Sequence, residues 1–247
     1  NAAPTSGTRA YIDDNATINA GGTVSIAATG NSTYELFAGA VGLSTKVGVG
    51  IANTTLIRLA NTEAYVGSGV SLTAGALSIT ATPTANILTA AVAGSGGEVG
   101  GAGSVTVNVL TGTTLAYIGS GSTVSTTTGA VALTAAGNDT VTSIAGGVSL
   151  GISKGSNAAA VGIAIGVNAI VNNVKAYIDT AKVVSATAVE INASNTGTVT
   201  AAAIGAAVAV SAGSGGSSGG GSGGSGGTGS GTGSGTGSGG TGTGAHA

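Results

Sequence analysis

Ala10-Tyr11-Ile12, Ala64-Tyr65-Val66, Ala116-Tyr117-Ile118 and Ala176-Tyr177-Ile178 are four copies of one phrase, with Tyr-to-Tyr spacings of 54, 52 and 60 residues. About 12–14 residues after each Tyr comes an alternating triplet: Val24-Ser25-Ile26, Leu77-Ser78-Ile79, Val131-Ala132-Leu133 and Val189-Glu190-Ile191. A Gly- and Ala-rich stretch follows, as in Val141-Thr142-Ser143-Ile144 and Val199-Thr200-Ala201. Then comes a polar or glycine-rich break, at residues 94–103 in one copy and 153–157 in another. The repeat closes on a strand carrying Asn, Val105-Thr106-Val107-Asn108 and Ile165-Gly166-Val167-Asn168, with Asn53 of Gly50-Ile51-Ala52-Asn53 as a looser match. Self-similarity at a fixed period of this length is the signature of a repeat architecture.

Val, Ile and Thr alternate at period two between Gly, Asn and Ser breaks, which is a strand pattern. The Ala content alone would allow helices, but a Gly inside nearly every apolar run would cost about 1 kcal/mol each in a helix interior. Only Pro4 and Pro83 can interrupt a strand ladder. The expected fold is all-β, a parallel β-helix (β-solenoid) of about four 52–60-residue repeats over residues 1–211. A Gly/Ser/Thr-rich tract over residues 212–247 follows it. A repeat of this size divides into about three coils of roughly 18 residues, with Val, Ile, Leu and Ala inward and Thr, Ser and Asn outward. On that scheme the four tyrosines line one side of a rod, roughly 14 Å apart. The alternative is repeats containing long antiparallel hairpins, such as residues 141–174 folded about Lys154-Gly155-Ser156-Asn157, because both arrangements bury alternate residues.

Composition narrows the function. Charged residues are 6% and the formal net charge is -2, so nothing draws the chain to nucleic acid or to acidic membranes. Aromatics are 2%, which suits a thin core of Ala, Val, Ile and Leu. The absence of Cys excludes disulfide scaffolds and thiolate metal sites, and agrees with a chain exported unfolded. No apolar run reaches the roughly 20 residues of a membrane-spanning helix. The best candidate, residues 158–171, is short and carries Asn168. The aromatic girdles of a membrane barrel are missing too, so no membrane insertion is expected. The chain starts at Asn1, inside a repeat and without a signal peptide, and reads as a piece of something longer.

The recurring Val-x-Val-Asn and Ala-Tyr-Ile phrases, the cysteine-free composition and the Gly/Ser/Thr spacers resemble the large repetitive bacterial adhesins and filamentous haemagglutinin-like exoproteins. The resemblance covers residues 1 to about 211. It implies an extracellular, cell-surface passenger stalk secreted across an outer membrane, and it carries over no binding residue. The expected function is a non-enzymatic structural segment of a fibre or adhesin: a stalk, filament or biofilm matrix element. Its expected partners are copies of itself in a fibre, with a host or cell-surface glycan or protein as a further one. The alternative is a solenoid that binds ice or a glycan through a flat Thr/Ser/Asn face, to which Thr126-Thr127-Thr128 is the nearest approach.

No catalytic, cofactor-binding or metal-binding residue is assigned. The single His246 follows a glycine-rich tract that gives it no orienting neighbours. Asp13 and Asp179 share one repeat position, but Gly67 and Gly119 fill it in the middle copies, so no catalytic pair forms from them. Asp13-Asp14-Asn15 offers oxygens to a hard cation, yet reads first as a polar turn. Sequons at Asn15, Asn31, Asn53, Asn138 and Asn192 reflect the abundance of Ser and Thr. Tyr11, Tyr65, Tyr117 and Tyr177 form either a structural ladder or a sugar-stacking row. Residues 213–244 are only Gly, Ser and Thr, and glycine strictly alternates over 227–239. The expectation is that this tract lies against the solenoid of the same or a neighbouring subunit and acts in assembly.

Overall fold

A computed structural model describes residues 7–155, 157–212 and 228–238. The described residues form strands joined by short turns. In chain order these are β1 Gly7–Ile12, β2 Thr17–Asn19, β3 Thr23–Leu43, β4 Val47–Val66, β5 Ser71–Ala74, β6 Ala76–Gly97 and β7 Val99–Ile118. Then come β8 Thr123–Thr126, β9 Val131–Ser153, β10 Ala159–Ile178, β11 Lys182–Val184, β12 Val189–Ser211 and β13 Thr228–Ser238. They pair into three sheets: a tyrosine sheet β1-β4-β7-β10, a short sheet β2-β5-β8-β11, and a broad sheet β3-β6-β9-β12 to which β13 adds. Every pairing is parallel except that of β13 with β12. The fold is a parallel β-helix.

Each sequence repeat is one coil, not three. Tyr11 pairs with Tyr65, Tyr65 with Tyr117 and Tyr117 with Tyr177, on neighbouring strands. Their ring centroids are 4.7–5.1 Å apart, one rung spacing rather than the expected 14 Å. The physical reason lies in the glycine-rich stretches that looked like breaks. Glycine at period two is compatible with a strand, and the strands run straight through it. The expected break at residues 94–103 contracts to Glu98, with β6 and β7 on either side. The chain does reverse around residue 154, as the hairpin alternative anticipated. The strands before and after the reversal nevertheless lie in different sheets. Thus β9 pairs with β6 and β12, and β10 pairs with β7. Each coil is a flattened loop with a three-walled base and a long two-layered arm.

The base follows the expected inside-out pattern. Ile12, Val66, Ile118 and Ile178 stack on the tyrosine-sheet wall, and Ile18, Leu72, Val124 and Val183 on the short wall. Ile26, Ile79 and Leu133 stack on the broad wall. In-register repeats place like beside like, so one apolar residue per wall and coil builds a continuous column. The corner between the first two walls turns through a left-handed residue: Asn15 (φ 59°), Gly69 (φ 68°), Gly121 (φ 70°) and Thr180 (φ 44°). Glycine reaches this region freely and Asn tolerates it. The corners are tied coil to coil, with Asn15 N donating to Ser68 O at 2.8 Å and Gly69 N to Ser120 O at 2.9 Å.

The arm reverses the expectation. Between its two layers lie Ala38, Ala40 and Gly42 of β3, and Gly48, Gly50 and Ala52 of β4. The next coil places Ala91, Ala93 and Ser95 opposite Gly100, Ala102 and Ser104. The branched residues face out: Val41, Leu43, Val47, Val49 and Ile51 are all exposed. Sheets faced by large side chains stand about 10 Å apart; these lie closer, and only small side chains fit between them. A Cβ on Gly100 would sit 2.6 Å from Ser149 Oγ and 2.7 Å from the Leu150 carbonyl oxygen.

Two further details depart from the reading of the repeat. The partner of Asn108 in the first copy is Leu56, while Asn53 pairs with Val105 on the outer face. Pro83 sits inside β6, facing in. The β6–β9 pairing has a gap there, between Ala81↔Ala135 and Thr84↔Asn138, because proline has no N–H to give. At the C-terminal end Ser211 pairs with Ser153, so the glycine tract begins where the preceding coil reverses. Residues 228–238 return antiparallel along β12, from Ile204↔Thr228 to Ser194↔Ser238. That part of the tract lies against its own chain. His246 and the rest of the tract lie outside the described residues.

Candidate functional surfaces

The tyrosine row stands on the outside of the base. Its rings stack face to face, with interplanar angles of 4–8°. Parallel pairing forces this: one outward residue per coil, at a rung spacing close to the thickness of stacked rings. Both faces of Tyr65 and Tyr117 are covered by neighbouring rings. Only the end rings Tyr11 and Tyr177 keep a face open, so a continuous sugar-stacking row is not available and the ladder reading fits. Beside it Arg9 Nε donates to Glu63 Oε2 at 2.9 Å across two coils. As a partly exposed pair it contributes about 1 kcal/mol or less.

Burial, reinforced by the neighbouring tyrosines, pushes Tyr117 up to about 12, and Tyr65 and Tyr177 are raised mainly by burial as well. An unfolded tyrosine ionises near 10. The unfolded chain therefore loses these protons first as pH rises, and the ladder's contribution, complete below about pH 10, fades towards about pH 12. An ultraviolet titration should show a late phenolate phase from Tyr65, Tyr117 and Tyr177, with its last part absent in Tyr117→Phe. Simultaneous ionisation of all tyrosines near pH 10 in folded protein would contradict the stack.

The carboxylates at the corner are structural. Asp14 Oδ1 accepts from Ser68 N at 2.7 Å, and Asp13 Oδ1 from Asp14 N at 2.9 Å, so the Asp13-Asp14-Asn15 turn ties down the next coil. Asp13 and Asp179 sit at the two ends of one corner column, three rungs or about 14 Å apart. That exceeds the separation of a carboxylate pair working on one bond, about 5–10 Å. Among the described residues no three His, Cys, Asp or Glu side chains gather.

A flat polar array lies on the outer face of the broad sheet's base. Its rows run across coils: Thr29, Thr82, Ala136 and Ser194; Asn31, Thr84, Asn138 and Thr196; Thr33, Asn86, Thr140 and Thr198. Rows repeat about every 6.6 Å along a strand and about 4.8 Å between rungs. Thr126-Thr127-Thr128 is not part of it. Those hydroxyls cap a corner, donating to the carbonyls of Gly129 (2.6 Å), Ala74 (3.3 Å) and Gly75 (3.1 Å). The signal for the true array was Thr80-x-Thr82-x-Thr84 and Thr196-x-Thr198-x-Thr200, one Thr-x-Thr run in each of two strands.

Inside the arm a polar ladder crosses the layers. Asn108 is fully buried; its Nδ2 donates to Thr89 Oγ1 at 2.8 Å and to Asn168 Oδ1 at 2.7 Å, and Asn168 Nδ2 donates to Ser143 Oγ at 2.8 Å. The side chains interlock two coils and both layers at once. Nearer the base, buried Asp139 accepts from Asn172 Nδ2, while its Oδ1 and the Oδ1 of Asn195 have no partner among the described residues. Nothing in the repeat phrases singles out Asp139. The signal that it faces in is the glycine beside it at inward positions, Gly137 and Gly197.

No family model, curated protein or solved structure matches the chain. Fold and surfaces together define a parallel β-solenoid with one coil per repeat, whose base carries a tyrosine ladder and a threonine array and whose arm is apolar on the outside.

Proposed function

We propose that this chain is a structural segment of an extracellular fibre or adhesin, a stalk, filament or matrix element whose work is mechanical. The observation that supports the reading is the unbroken register of neighbouring coils, from the tyrosine stack through the long arms. Stretching such a stack opposes many backbone hydrogen bonds at once, and the broad sheet's base presents a Thr/Ser/Asn array outward. The resemblance to repetitive bacterial exoproteins supports the placement at a cell surface. Small-angle X-ray scattering of the purified protein should show a stiff slab four rungs, or roughly 19 Å, thick and several times as wide, and oriented samples should diffract at about 4.8 Å along the stacking axis. Flexible or globular particles without that reflection would reject the reading. The threonine array favours a second reading, a solenoid that binds ice or a glycan through this face. Growing ice crystals shaped by the wild type, but not by Thr82→Leu/Thr84→Leu, would support it.

A further inference from the structure

Among the described residues, nothing covers the outer faces of the arm. Val41, Leu43 and Ile51 are 75%, 78% and 71% exposed, and the apolar surface they begin continues through β7, β9, β10 and β12. No charged residue points outward from residues 47–59 of β4 or from the positions of β7 and β10 paired with them. The rows across coils are ridged. On the tyrosine sheet they read Val49-Gly101-Val161 and Ile51-Gly103-Ile163. On the broad sheet they read Val41-Gly94-Val148 and Leu43-Gly96-Leu150, and the neighbouring row inverts to Gly39-Val92-Gly146-Ile204. Each groove is two outward positions long, Gly101 and Gly103 between Val99 and Val105 on β7, and Gly94 and Gly96 beyond Val92 on β6, with flanking ridges two rungs, or about 9.6 Å, apart.

Among the described residues, space does not require glycine at Gly39, Gly101 or Gly103, whereas a Cβ at Gly96 would press on Leu43 Cδ2 at 3.0 Å. A Cβ at Gly39, Gly101 or Gly103 would meet nothing within 4 Å, and none of the three has a positive φ. Glycine weakens a strand interior and often marks the close approach of another surface. We propose that the arm is an interlocking interface between copies of this chain, the Val/Ile/Leu ridges of one arm filling the glycine grooves of the next. This deepens the fibre reading by naming the lateral partner and its binding face. Three or four rungs about 4.8 Å apart and about ten residues long give roughly 500–600 Å² per face. A pair then buries about 1,000–1,200 Å², the lower bound of a specific interface, and an arm has two such faces. A second copy carries ridges at the required rung spacing. Lipid is the poorer occupant: it needs no grooves, and it would meet unpaired backbone. Among the described residues, the outer edge of β3 and residues 47–60 of β4 have no strand beyond them.

The test is sedimentation of the full chain, together with flotation on phosphatidylcholine vesicles. Wild type should self-associate with increasing concentration and leave the vesicles unbound. Gly101→Val/Gly103→Val fills the groove without a clash inside the chain. It should keep the circular dichroism and melting of wild type, yet associate about tenfold more weakly or worse. Ile51→Ser/Ile163→Ser, which removes the ridges, should weaken association similarly. A wild type monomeric at every soluble concentration, or a filled-groove variant that associates as well as wild type, would overturn the proposal. Vesicle binding that tightens as valines are added would assign the face to lipid instead. The slab shape and the axial reflection test the fibre reading separately, since a monomeric slab would fail only the lateral interface.

Discussion

Gly50→Val and Gly162→Val should each open the arm while the base stays folded. A side chain at Gly50 would be driven into the carbonyl of Gly94, and one at Gly162 into the carbonyls of Ala206 and, at 2.7 Å, Gly147. The obstacle is main chain, which no rotamer change relieves. Overpacking a core that can repack costs about 1–3 kcal/mol, and a backbone collision stands at or above the top of that range. Coils contact only their neighbours, so the damage is local. Amide hydrogen exchange should accelerate in residues 36–56 and around Gly94 for the first variant, and in 141–168 and around Ala206 for the second. Protection around Leu72, Ile79 and Val124 should persist. At concentrations where the protein is monomeric, Gly101→Val, with open space around its Cβ, is the control and should exchange as wild type. Unchanged protection in Gly50→Val would mean that the layers are not in backbone contact.

The sequence carried the repeat and the strand type plainly, because those depend on which residues recur; it favoured parallel stacking but left antiparallel hairpins open, because both bury alternate residues. It did not carry the coil count. A period of two reads the same in a coil of three short strands and in one of two long ones. Only the pairing of Tyr11 with Tyr65 decides between them. Nor did alternation reveal which face is inside. In Val105-Thr106-Val107-Asn108 hydrophobicity points the valines inward, yet the inward residues are Thr106 and Asn108, both fully buried. Layer spacing decides this: where Gly48, Gly50 and Gly100 let two backbones approach, volume outranks polarity, and a branched side chain has only the outer face left. In the base the walls stand farther apart, and Ile79 and Leu133 point inward as the triplets suggested. The tyrosine row was legible because it recurs at one position in every copy. Asp139 was not, because its neighbours in register are Ala85 and Gly197, and a single acid has no pattern.

The same reversal predicts opposite outcomes for one kind of truncation in the two halves of a coil. Leu133→Ala in the base should cost about 2–5 kcal/mol, because Leu133 is 1% exposed and bounded by Ile79 on the rung before it and Ile191 on the rung after it. Columns this regular leave no spare atoms to collapse into the void, which favours the upper part of that range. Ile57→Ala in the arm removes a similar volume from a side chain that is 66% exposed, and should change stability by about 0.5 kcal/mol or less. Urea unfolding at low protein concentration makes the comparison clean, because association through the arms would otherwise add to the apparent stability of the native state. Under those conditions the Leu133→Ala midpoint should fall well below wild type and the Ile57→Ala midpoint should stay with it. At high concentration Ile57→Ala should separate from wild type as well, since the side chain it loses belongs to the proposed contact face. Equal losses for the two variants at low concentration would place Ile57 in a core and reject the inverted arm.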